Sequence, residues 1–265
     1  MTMPPTLLAR AGFRAPGTED FQWPAIWTIH LDGFTLEINR TALLMILAAV
    51  AVLVLFLIAF RRPRVVPRGA QNLVEVGVDF VRRQIILEVI GRDGLRFLPY
   101  LTTLFFFIFF ANVLEIVPGI NFPATSRMAL PAFLAILSWL LFNWVGIRSQ
   151  GLGRYLRNTI LPPGIPWPLY FLIAPIEFVS TLIVRPVTLS VRLLANMIAG
   201  HLILAVFFLG TVYLIERPAT AVFAVPAFVM AVALVGFELI VALLQAYIFT
   251  ILTAVYLAGA LEPEH

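Results

Sequence analysis

Two long apolar stretches near the end of the chain, residues 169–215 and 219–257, limit its possible folds more than any other feature. Only Glu216, Arg217 and Pro218 separate them. Each is about twice the ~20 residues that carry a helix across a hydrocarbon core. As one helix, the first would run on the order of 70 Å, against a core of about 30 Å. It must incline, bend or break, and Pro175 and Pro186 are the expected kink points. Shorter apolar runs lie at 41–60, 97–117 and 129–147. Of 265 residues 61% are hydrophobic and only 12% charged, a balance that leaves little mass for a soluble domain. The chain therefore reads as an all-α polytopic membrane protein. About five helices cross the membrane, the last two long and joined as a hairpin. Residues 41–265 form a single transmembrane domain. No internal repeat is visible, which weighs against transporters built from inverted repeats.

Residues 1–40 are polar and carry Trp23 and Trp27, so they read as an extramembrane arm touching the interface. They lack a long apolar core followed by a small-residue cleavage site, so the first span is expected to direct the chain to the membrane. Residues 68–90 mix Glu75, Asp79, Arg82, Arg83 and Glu88 with Leu73, Val76, Phe80, Ile85 and Val89. That pattern predicts an amphipathic helix on the membrane surface, or one packed on other loops.

The net charge is +4, and every basic residue is arginine. In a soluble protein that balance suggests nucleic acid. Here the arginines concentrate in loops, where they set orientation instead, and no nucleic acid is expected. Arg61, Arg62, Arg64, Arg68, Arg82, Arg83, Arg92 and Arg96 lie between the first two spans, and Arg148, Arg154 and Arg157 follow the third. This places the N-terminus outside and the C-terminus in the cytoplasm, with a bacterial plasma membrane as the expected location. Cysteine is absent, which removes disulfides and thiol chemistry.

Against this apolar background, polar residues inside the spans stand out. Arg192 lies within RPVTLSVRLLANMIAGHLILAVF, residues 185–207. An arginine at membrane depth costs roughly 2.5–3.5 kcal/mol on insertion scales, and guanidinium does not escape by giving up its proton. At about 100° per residue, Glu177, Thr181, Arg185, Thr188, Arg192 and Asn196 share one strip of a regular helix. Such a strip must face protein or a wet cavity; its structural reading is a seam of arginines paired to carboxylates within the chain. His201 falls about 180° from Arg192, and Glu238 and Gln245 share a face of the last segment. A carboxylate buried among apolar residues either pairs with a cation or holds a proton more readily than in water. His201 and Glu238 sit 15 residues before and 20 after the Glu216–Pro218 turn, at comparable depth in a hairpin. That makes them a candidate proton relay, although a lone histidine is more often structural. Asn112 and Glu115 near the end of the second span are a weaker lead. No phosphate loop, serine elbow or Cys/His cluster appears, so neither metal nor cofactor is expected.

The stretches PIEFVSTLIVRPVTLSVRLLANMIAGHLIL and FELIVALLQAYIFTILTAVYL closely resemble subunit a of the F-type ATP synthase membrane sector. The resemblance is strongest over 175–257 and extends more loosely to ANVLEIVPG at 111–119; the N-terminal arm is not diagnostic. It implies a non-catalytic, ion-translocating stator subunit beside a ring of c subunits, held by peripheral-stalk b subunits and the rest of the complex. It further implies that the last two long helices are steeply tilted as a hairpin against the ring, and that two offset aqueous half-channels open beside them. Arg192 would draw each arriving ring carboxylate, favour its ionised form and block direct leak. His201 and Glu238 would form the entry pair, with Gln245 and Asn196 near the arginine. Asn112 and Glu115 would line the outer half-channel, and Glu177 and Arg185 the inner exit. The competing readings are a secondary transporter or channel with Arg192 as substrate counter-ion, and a purely structural membrane subunit.

Overall fold

A helix that is apolar on every side has no face for water. The first helix, α1 (Arg40–Phe60), is of this kind and buries only a narrow stripe, Leu44, Ala48, Val52 and Ala59. Ile46, Leu53, Leu57 and Ile58 are more than half exposed, a surface that suits lipid rather than water. The computed structural model describes residues 27–31, 34–38, 40–114, 116–117, 128–160 and 167–261.

Ahead of α1, strands β1 (Trp27–Leu31) and β2 (Phe34–Ile38) pair antiparallel, with Trp27 opposite Ile38 and Leu31 opposite Phe34. The expectation of an all-helical chain holds for the membrane part, and the arm adds this hairpin. After α1, Gly69 takes φ 61° and opens α2 (Ala70–Phe80), which continues through a π-helical turn, Val81–Leu87. Val74, Val81, Ile85 and Ile86 are fully buried, while Leu73 and Val76 on the other side are exposed. This amphipathic segment thus packs one face on α1 and, through its π turn, on the bundle.

A 3-10 turn (Arg92–Phe97) leads into α3 (Leu98–Val113), and α4 (Ala129–Gln150) follows. The second span therefore runs Arg92–Val113 rather than 97–117, because the arginine-bearing 3-10 turn adds to its start and the helix ends before Glu115. Gly151, at φ 80°, turns the chain into the short α5 (Leu152–Ile160). Tyr155 of α5 packs its ring against Gly146, where any Cβ would collide with it, and its hydroxyl donates to Asn143 Oδ1 at 2.9 Å.

The long stretches are helical almost throughout. α6 (Trp167–Val179) contains Pro175 and passes through a π turn, Ser180–Val184, into α7 (Arg185–Ile215). Pro186 has no N–H for an earlier carbonyl, and the π turn sits where that bond is missing. After a 3-10 turn (Ala221–Phe223), α8 (Ala224–Leu261) runs back along α7. Among the described residues five helices are long and apolar enough to cross a membrane, the last two being Leu169–Ile215 and Ala221–Leu261.

α8 is the hub, packed on α3, α4 and α7. Leu101, Ile108, Phe142, Leu189, Leu193, Phe249 and Leu257 fill the space between them. Polar ties fix the register. Tyr100 and Ser138 share a hydrogen bond of 3.0 Å between α3 and α4. Ser149 and Gln150 at the end of α4 donate to the Ala260 carbonyl of α8. Buried Thr250 and Thr253 satisfy their hydroxyls on the carbonyls four residues back, so they bring no orphaned donor into the core.

Candidate functional site

The site is built on the hairpin of α7 and α8. Arg185 opens α7, and its guanidinium carbon lies 5.1 Å above the Tyr256 ring of α8. An aromatic face holds a cation at such a place without a carboxylate. Tyr155 feels the same charge from α5. Burial pushes its hydroxyl up from the ordinary tyrosine value, while a hydrogen bond with Thr159 and the Arg185 charge pull less strongly the other way. It therefore remains a proton donor at neutral pH.

Arg192 lies two turns further along. Its neighbours Leu189, Leu193 and Met197 point into the bundle, whereas Arg192 is exposed together with Val187, Val191 and Ala195. Leu239, Leu243 and Leu244 of α8 are exposed as well. Among the described residues Arg192 makes no hydrogen bond and no ion pair. Neither Arg185 nor Arg192 is thus paired with a carboxylate among the described residues, a pairing that the structural-seam reading calls for.

The expected single strip is broken. Thr181 is buried, Glu177, Arg185 and Asn196 are half-buried, and Thr188 and Arg192 are exposed. The π turn accounts for part of this: bonding from i to i+5 adds a residue to one turn and shifts Glu177, before it, around the axis relative to the residues of α7. The Thr181 carbonyl accepts a hydrogen bond of 3.2 Å from the Trp139 indole of α4.

Glu238 and Gln245 lie on the buried stripe of α8 with Ala242 and Phe249, at 8% and 4% exposure. The Glu238 carboxylate rests against Gly200 of α7, so closely that a Cβ there would come within 2.7 Å of its carboxyl carbon. His201, half-buried, is the next residue, so the acid and the imidazole stand at the same level of the hairpin. Equal steps along the antiparallel helices from this contact bring Gln245 level with Leu193, beside Arg192. The Gln245 Nε2 is buried with no hydrogen-bond partner among the described residues.

The remaining candidates are more scattered. Asn112 is buried in the last turn of α3, the helix that packs on α8. Glu115 lies outside the described residues. Glu177 sits on α6, before the π turn, and makes no hydrogen bond or ion pair among the described residues. Gly200, Trp139 and Tyr256 are residues that sequence reading did not single out. Tyr256 had a signal, since it falls about 20° from Gln245 on a helical wheel. Gly200 had none beyond its place next to His201. Among the described residues no cluster of three or more potential metal ligands occurs.

A family model described as the ATP synthase A chain matches residues 42–258. The ATP synthase subunit a of Frankia alni is 48% identical over 261 residues, covering 98% of this chain and 90% of the relative. That of Rhodococcus erythropolis is 44% identical, covering 99% and 96%. That of Streptomyces lividans is 36% identical, covering 96% and 90%.

Proposed function

The chain belongs to the ATP synthase A chain family, within the proton-translocating membrane sector, and on that footing we propose that it is the stator surface on which ring carboxylates lose and regain protons. The observation that carries this reading is Arg192, an exposed cation with no ion pair among the described residues, on a largely apolar face.

Facing lipid alone, such a charge is penalised by roughly 3 kcal/mol. Two unit charges about 4 Å apart attract by roughly 4 kcal/mol at an effective dielectric near 20. A carboxylate from a neighbouring chain therefore offsets the cost, and the same attraction favours its ionised form. A ring of c subunits, each presenting one membrane-buried carboxylate, supplies that partner. A carboxylate approaching Arg192 gives up its proton. One moving on into the apolar surroundings takes a proton before it can leave. The fixed charge also repels protons that would pass straight across. Guanidinium suits this because it keeps its charge throughout.

The proposed proton route uses the other polar groups of the chain. Asn112, in the last turn of α3, and Glu115, which lies outside the described residues, line the outer half-channel, which leads to Glu238 and His201 of the hairpin. Gln245 and Asn196 flank the arginine. Glu177 and Arg185 mark the inner exit. The chain performs no covalent chemistry, and peripheral-stalk b subunits hold it against rotation. The N-terminus lies outside a bacterial plasma membrane and the C-terminus in the cytoplasm.

The test is Arg192→Ala in membrane vesicles, with complex assembly measured in parallel. ATP-driven acidification is expected to vanish from an assembled complex, and passive proton permeability to rise. Unchanged pumping overturns the reading.

A further inference from the structure

Where α1 ends, the chain enters Arg61-Arg62-Pro63-Arg64-Val65-Val66-Pro67-Arg68. The four arginines, with Ile58 and Gln71, line a recess of about 450 Å³. No carboxylate lines it, and among the described residues none of the four guanidiniums forms an ion pair. Four like charges around one recess repel one another and raise a strong local potential for an anion.

The loop is built rather than loose. Gln71, only 7% exposed, accepts from the Arg64 backbone N–H at 3.1 Å and donates to the Arg64 carbonyl at 2.9 Å. It also donates to Glu75 Oε1 at 2.7 Å, and so engages the nearest acid along the chain. Between the arginines, Val65 is fully exposed and Val66 is 66% exposed. Leu57 and Ile58, on the last turn of α1, are about 60% exposed beside them. A soluble anion has no use for that apolar surround, whereas a phospholipid matches both parts: phosphate to guanidinium and acyl chain to aliphatic side chain.

We propose that this recess binds the phosphate headgroup of an anionic phospholipid, with the acyl chains lying along the exposed end of α1 and Val65 and Val66 dipping into the interface. The site is separate from the proton path and does not depend on the roles proposed for Arg192 or Glu238. Its consequence is mechanical: a bound lipid ties the α1–α2 corner, and with it the packing of α2, to the membrane.

The test uses the assembled wild-type membrane sector in phosphatidylcholine vesicles. These are doped with photoactivatable phosphatidylglycerol or, in parallel, with photoactivatable phosphatidylcholine, and labelled peptides are mapped by mass spectrometry. The phosphatidylglycerol probe is expected to label residues 58–71 in preference to the phosphatidylcholine probe. Unlabelled phosphatidylglycerol should compete, inorganic phosphate should not, and raised salt should weaken labelling. Arg62→Gln and Arg64→Gln should each lower labelling about fivefold. Equal labelling by both probes overturns the proposal. Competition by inorganic phosphate reassigns the recess to a soluble anion and overturns the lipid source. Absence of labelling, with arginines shielded from phenylglyoxal only in the complex, means an acidic partner protein fills it. The comparison of the two probes decides the matter even if a variant fails to assemble.

Discussion

Glu238 owes its position to the absence of one side chain. Its carboxylate lies on the backbone of Gly200, and a methyl group there would displace it. The colliding atoms are the far end of a flexible side chain, so Gly200→Ala should barely change assembly but should move the acid. ATP-driven acidification in Gly200→Ala vesicles is expected to fall several-fold at normal complex content, and adding Glu238→Asp, one methylene shorter, should recover part of it. A second prediction concerns the pair itself. Exchanging His201 and Glu238 together should harm proton pumping less than either single replacement; a double variant equal to the sum of two losses would remove the relay from the mechanism. Arg192 and Glu238 stand out in the sequence because a charged group inside an apolar run is costly, whereas His201, a lone histidine, drew notice only through its match in depth to Glu238. The part played by Gly200 was not visible there, because its contact is made with a residue 38 positions away.

At the scale of elements, the π turn Ser180–Val184 decides how α7 presents its residues. It contains the buried Thr181, and it is pinned by the Trp139 indole on the Thr181 carbonyl. Trp139→Phe keeps the ring and removes the donor. It should destabilise this turn by about 1 kcal/mol, read as faster hydrogen exchange confined to residues near 180–186 in the assembled complex. The spans were legible because their length and composition follow from bilayer thickness. The π turn was not, since only Pro186 hints at a broken hydrogen-bond ladder and proline equally well marks a simple kink. Asp32-Gly33 between β1 and β2 is a recognised hairpin signal that the polar composition of the arm concealed.

For the molecule as a whole, the distribution of exposed apolar residues is the organising fact. α7 and α8 bury Leu193, Ala246, Phe249 and Leu257 against α3 and α4 and leave Val187, Val191, Leu239, Leu243 and Leu244 outside. If that outer face meets the ring, cysteines at Val191 or Leu243 should form disulfides with cysteines on c subunits, whereas Leu193→Cys should not. The native chain has no cysteine, so each engineered thiol reports alone. The sequence by itself determined the membrane class, the number of spans, the unusual length of the last two and the anomalous polar residues. All of these are properties of composition along one dimension, read against the fixed thickness and low polarity of a bilayer. Tertiary structure alone decided that Arg192 faces outward without a partner among the described residues, that Glu238 faces inward onto Gly200, and that Arg185 rests on Tyr256. Those outcomes depend on helix phase and on which helices pack together. A single π turn or one missing Cβ changes them, while leaving the hydropathy of the chain almost untouched.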